Sequence, residues 1–266
     1  MPSFKSMLTA SSLLIGAALL TPSCADNNSS LFIVGVMDLA QASCIAMPQN
    51  TGPFLAAGTL DTAFASGYTA VLLVGNQLTQ QGSTEQLRTE TSRVTLRGAE
   101  VDLTTLDGQT INVPGAQSTF STVGTGFVDP AAGDAPSYAT VAVNVIPPGL
   151  SNLPPQVLAK IRVFGETLGG TSITSSELDF PITVCDGCLV VYDTPDTTQA
   201  AGAPFMCATS AASSTQTTTG APCITGQDQT FSCTLCSAAY ALCRDPCQNK
   251  AYNPDPAANP NCASTP

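Results

Sequence analysis

The sequence predicts an all-β protein: an antiparallel, immunoglobulin-like β-sandwich over residues 31–193, followed by a disulfide-stapled, cysteine-rich tail over 194–266 with one short helix. Three observations carry this reading. Seven short runs rich in β-branched and aromatic residues follow one another between Leu31 and Tyr192, separated by turn formers. Helical periodicity is scarce in the same stretch. Beyond Asp193 the composition shifts to Thr, Ser, Ala and Pro while cysteines become frequent. A closed barrel is the alternative arrangement of the same strands.

At the N-terminus, "MPSFKSMLTASSLLIGAALLTPSCADNNSS" has one lysine, an apolar run from Leu13 to Leu20, and then small residues. This is the pattern of an export signal. The apolar run is too short to cross a hydrocarbon core of ~30 Å as a helix. "LLTPSC" resembles the bacterial lipobox, which places Cys24 where a thiol receives diacylglycerol. It departs from the usual form in that Leu20 lies one residue too far upstream and Ser23 replaces Gly or Ala. The expected division is a lipoprotein signal peptide over 1–23 and a lipidated polar tether over 24–30. Ordinary signal cleavage after Ala25 is the alternative, since Ser23 and Ala25 are small. Either route exports the chain.

The strand runs are "LFIVGVM", "YTAVLLVGNQL", "SRVTLRGAEVDLTT", "STFSTVGTGFV", "YATVAVNVI", "VLAKIRVFGE" and "LDFPITVC". "VDLTTLDGQTINV" predicts a hairpin: Val101 and Leu103 alternate with polar residues, Asp107-Gly108 supplies a tight turn, and Ile111 and Val113 resume the alternation. "VIPPGLSNLPPQV" carries four prolines, which deny a regular ladder and predict a loop. "PFLAAGTLDTAFA" is ambiguous between helix and strand. In the tail, "FSCTLCSAAYALCRDPC" sets Cys233, Cys236, Tyr240, Cys243 and Cys247 at spacings that trace one continuous face of a helix.

There are eleven cysteines. With Cys24 acylated or removed, ten remain: Cys44, Cys185, Cys188, Cys207, Cys223, Cys233, Cys236, Cys243, Cys247 and Cys262. An even number in an exported chain predicts disulfides, with the pairing undetermined. A zinc site of four thiolates, from Cys185 and Cys188 in "VCDGCL" with Cys233 and Cys236 in "SCTLC", has suitable spacing. Exported thiols meet oxidants before a controlled zinc supply, so no metal and no cofactor are expected. A redox role is disfavoured because a reactive C-x-x-C opens a helix, whereas "CDGC" runs into the strand-like "LVVYD".

The chain contains no histidine, which excludes Ser-His-Asp and Cys-His catalysis and zinc sites built on imidazole. No nucleophile elbow, P-loop, dinucleotide-binding glycine pattern or EF-hand loop is present. With Lys5 lost in the leader, seven basic side chains face 19 acidic ones, a net charge of −12. Such a surface lacks the basic patch of a nucleic-acid binder and repels anionic lipid headgroups. Membrane attachment is therefore expected through acyl chains on Cys24 alone.

"SCADNNSSLFI", "TAVLLVGNQL", "LRTETSRVTLRGAEV", "FPITVCDGCLV" and "PCITGQDQTFSCTLC" together resemble a group of uncharacterised cysteine-rich surface lipoproteins of myxobacteria. The likeness covers most of the chain after the leader. It implies location and architecture and brings no activity. The function expected is that of a non-enzymatic lipoprotein of the outer membrane, periplasmic or surface-facing. It would act as a structural, adhesive or binding module with an envelope or surface partner. The alternatives are a hydrolase using carboxylates alone, such as a glycosidase, and a zinc-binding module held by cysteines.

Overall fold

The computed structural model describes residues 30–41, 43–83, 85–111, 117–150, 152–192, 207 and 220–251. The leader, Cys24 and Cys262 lie outside these residues. The strands are β1 (Leu31–Met37), β2 (Phe54–Leu55), β3 (Gly58–Asp61), β4 (Tyr68–Asn76), β5 (Val94–Thr104) and β6 (Thr119–Val128). They continue with β7 (Ser137–Ile146), β8 (Gln156–Thr167), β9 (Ser172–Thr174), β10 (Leu178–Cys185), β11 (Val190–Val191) and β12 (Phe231–Ser232). Among the described residues one α-helix, α1, covers Ala241–Arg244 between two short 3-10 turns, Cys233–Leu235 and Pro246–Gln248.

The strands form two sheets and a small ribbon. One sheet has the order β2-β1-β4-β7; the other has β3-β10-β8-β5-β6, with β9 paired to β8. The sandwich is antiparallel except where β3 lies parallel to β10. The two sheets share one core, because alternate side chains of each turn inward. Ala70, Leu72 and Val74 of β4 and Val141, Val143 and Val145 of β7 meet Val157, Ala159, Ile161 and Val163 of β8 there. In β5 the inward positions change parity, from Val94 and Leu96 to Ala99, Val101 and Leu103. A bulge between Leu96 and Gly98, present against both β6 and β8, supplies the extra residue that the change requires.

The ambiguous "PFLAAGTLDTAFA" becomes β2, β3 and a turn. The Asp107-Gly108 turn forms, with Gly108 at φ 77 and its amide donating to Thr105 O. Among the described residues its second arm keeps the bridge of Thr104 to Thr110 and the bonds from Thr105 N to Gln109 O and from Ile111 N to Leu103 O, while β5 pairs with β6 and β8. Val113 lies outside the described residues.

The structure corrects the helix expected over the tail cysteines. A continuous helix would hold Cys236 and Cys243 about 10 Å apart. Their Cα atoms are 5.8 Å apart and the sulfurs are bonded, so the chain folds back between them. Tyr240, expected on the buried face, is 39% exposed and leans edge-on against Phe64.

The tail is also joined to the sandwich more closely than its composition predicts. Gly226 O accepts from Asp61 N, Asp228 N donates to Thr59 O, and Gln227 bridges Leu60, so residues 226–228 extend the sheet beyond β3. This covers an edge that would otherwise invite pairing. A second apolar cluster, Leu189, Val190, Phe231 and the sulfurs of Cys207, Cys233, Cys236 and Cys243, packs beside Phe64 in the turn after β3.

Candidate functional site

The site is assembled around the loop "CDGCL". β10 delivers Cys185 in register with Asp61 at the end of β3. The chain then turns through Gly187, whose φ of +88 suits glycine and whose missing side chain admits Asn249. A Cβ there would lie 2.3 Å from Asn249 Oδ1. Asp61 is fully buried, and its carboxylate accepts from the amides of Gly187 (2.6 Å), Leu189 (2.9 Å) and Ala63 (3.1 Å). From the other side, Asn249 Nδ2 donates to Gly187 O at 2.8 Å and Ala251 N to Asp186 O at 3.1 Å. Lys250 Nζ meets Asp186 Oδ2 at 2.5 Å, and this carboxylate raises the lysine's pKa. The loop is thus clamped between the sandwich and the tail.

Beside it opens a groove of about 600 Å³. One wall is the proline-rich loop between β7 and β8, with Leu150, Asn152, Leu153 and Pro155. The other is Thr62, Ala65 and Ser66 after β3. Val184, Cys185 and Asp186 complete the lining. This volume is in the range of small-molecule and peptide clefts, and the lining mixes apolar walls with a few polar groups.

The structure pairs Cys44 with Cys223, Cys185 with Cys188, Cys207 with Cys233, and Cys236 with Cys243. Cys247 is also disulfide-bonded. The four cysteines of the conceivable zinc site are therefore divided among three bonds and do not converge as thiolates. Asp61, Cys185 and Cys188 do place their ligand atoms within 4.8 Å of one another. With the two sulfurs bonded to each other, they offer a metal no thiolate pair.

A carboxylate-only hydrolase needs two acidic groups with separated roles. Glu85 and Glu90 line a second cleft of about 580 Å³. Burial acts to raise the pKa of Glu90, but the amides of Gly82, Ser92, Gln81 and Thr91 outweigh it and hold the group low. A carboxylate so bound is a poor general acid. Asp228 behaves in the opposite sense: burial raises its pKa, the Thr59 amide and the Tyr68 hydroxyl draw it back, and the charge of Asp38 raises it again. Tyr68 donates to it at 2.8 Å, and burial followed by the Asp228 charge lifts the phenol pKa well above its ordinary value. Gly58 makes this contact possible, since a Cβ would lie 2.5 Å from Tyr68 Oη. This pair sits between strand and tail and acts as a latch.

Sequence reasoning singled out Cys185 and Cys188 but missed Asp61, Asn249 and the groove. Asp61 follows Leu60 in a segment of undecided type, and Asn249 lies in a polar stretch, so neither carries a local signal. The fold and the site define a disulfide-braced β-sandwich with a groove at one end, and such bonds mark an oxidising, exported location. Among the described residues, no helix is long and apolar enough to cross a membrane. No protein-family model matches the chain, and no curated protein or solved structure matches it.

Proposed function

We propose that the chain is a non-enzymatic lipoprotein, anchored by diacylglycerol on Cys24 in a bacterial outer membrane or at the cell surface. It acts as a binding module through the groove beside Cys185. The observation that carries the anchoring is the cysteine closing the apolar leader, followed by a short polar tether and a folded unit beginning at Leu31. Support for binding comes from the groove's rigid frame: β3 and β10 on one side, a proline-stiffened loop on the other, and a clamped turn at its end. The acidic exterior, net −12 after the leader, leaves attachment to the lipid.

Cys24→Ser tests the anchor. The variant is expected to leave the membrane fraction or to accumulate as uncleaved precursor. Intact mass spectrometry of the parent should show a diacylglycerol-modified N-terminal cysteine. A mature N-terminus at Asp26 would overturn the lipoprotein reading and leave an exported protein without an acyl anchor.

A further inference from the structure

The groove has a disulfide in its lining. Cys185 faces it from the end of β10, and its partner Cys188 reaches solvent. The geometry points to covalent capture: the groove takes an extended peptide segment that bears a free thiol beside apolar side chains, and the Cys185–Cys188 bond exchanges with that thiol. This rests on the groove being the binding surface and adds the chemistry of what it takes.

The loop does not depend on its disulfide. Asp61 accepts from the amides of Gly187 and Leu189, and Asn249 donates to Gly187 O, and none of these bonds uses a sulfur. Opening the bond releases a loop with a sequence separation of 3, so it relaxes little chain. The other described bonds differ. Cys233 and Cys243 are fully buried, and Cys207 and Cys236 are 5% and 7% exposed, so an incoming thiol cannot reach them. Cys44–Cys223 closes a separation of 179, and opening it frees a long constraint together with the tail segment.

The step balances without an added oxidant. The peptide thiol loses its proton to solvent, and the thiolate attacks Cys185 Sγ. A peptide–Cys185 disulfide forms as the Cys185–Cys188 bond breaks, and Cys188 leaves with the electron pair and takes a proton from water. The peptide sulfur is oxidised to the disulfide level and Cys188 is reduced to a thiol. Reversal, with the Cys188 thiolate attacking Cys185 Sγ, releases the peptide as a thiol. Solvent at Cys188 favours its departure as a hydrated thiolate. The Asp61 carboxylate, within 4.8 Å of both sulfurs, opposes charge there, but three backbone amides already bind it, and Lys250 offsets the negative charge of Asp186. Leu150, Leu153 and Val184 give the apolar wall that selects the residues flanking the thiol, and Asn152 offers an amide to the peptide backbone.

The test uses the full exported chain with its disulfides intact and a short synthetic peptide carrying one cysteine between leucine and valine. Glutathione and the serine counterpart of the peptide serve as comparisons. Peptide-mapped mass spectrometry is expected to find the adduct on Cys185, formed about tenfold faster with the peptide than with glutathione. Leu153→Ala, which removes apolar wall without adding charge, should slow the peptide toward the glutathione rate and so remove that preference. The double variant Cys185→Ser, Cys188→Ser should keep its circular dichroism and form no adduct. An adduct on Cys44 or Cys223, or none short of global unfolding, overturns the proposal. If the serine peptide binds by calorimetry and no adduct forms, exchange fails while the groove stands. If glutathione and the peptide react equally at Cys185, the groove reading fails and the proposal with it.

Discussion

Replacing Asp61 with alanine tests whether one buried carboxylate organises the end of the sandwich. Its side chain is fully buried and accepts three backbone amides, those of Ala63, Gly187 and Leu189. Alanine leaves these donors facing an apolar gap. An orphaned buried donor costs about 1–3 kcal/mol, and deleting one side of a buried charged interaction costs about 3–5 kcal/mol. We therefore expect Asp61→Ala to lose about 3–5 kcal/mol, the lower end applying if water enters the vacated space. Asp61→Asn keeps one acceptor oxygen but turns an NH₂ toward an amide, and should lose about half as much. The assay is urea unfolding followed by circular dichroism with disulfides intact. For a domain of this size, with a denaturant slope of roughly 2–3 kcal/mol/M, the alanine midpoint should fall by about 1–2 M and the melting temperature by about 10 °C. A midpoint within about 0.3 M of the parent would refute the claim that this carboxylate anchors the CDGC loop.

Asp228 gives a pH signature. Burial raises its pKa in the native state, so the native chain holds the proton more tightly than the unfolded chain. Its stabilising contribution is complete below the unfolded carboxylate value and is lost as pH rises through the native one. The stability of the parent relative to Asp228→Asn should fall as pH rises above the ordinary carboxylate value of about 4, and a difference that stays flat or grows contradicts the burial argument. The bond pattern predicts how a nick behaves. With a protease site inserted between Ser213 and Ser214, cleavage should leave both pieces joined through Cys44–Cys223 and Cys207–Cys233, separating only on a reducing gel. Pieces that separate without reductant would contradict the pairing. Protein purified from the envelope should contain no stoichiometric zinc by elemental analysis; about one zinc per chain would restore the four-thiolate site.

The seven strand runs were legible because each is a short run of β-branched and apolar residues between turn formers, a local pattern, and each contributes to the shared core. β1 and β10 begin and end where that pattern does. The bulge in β5 was less legible, although its parity change is written in Leu96 and Ala99, because a bulge is defined by the partner strands. The helical stripe over the tail cysteines misled because a disulfide between Cys236 and Cys243 outweighs the weak preference of a few residues for helix. In the candidate site the cysteine spacing was visible, but Asp61 and Asn249 were not, since their partners lie far along the chain, at separations of 126 and 62.

By itself the sequence determined the all-β class, the order of the strands, the surplus of acidic groups, the absence of imidazole chemistry and the supply of cysteines for disulfides. These follow from composition and from periodicities of a few residues, which act within one element. Tertiary structure alone decided which cysteines bond, that β3 runs parallel to β10, that residues 226–228 seal the sheet edge, and that Asp61, Asn249 and the proline-rich loop meet around Cys185 to leave a groove. The physical reason is that hydrogen bonds and sulfur bonds between distant segments depend on how the chain closes in space. No local pattern encodes that closure until the shared core has fixed the strands in register.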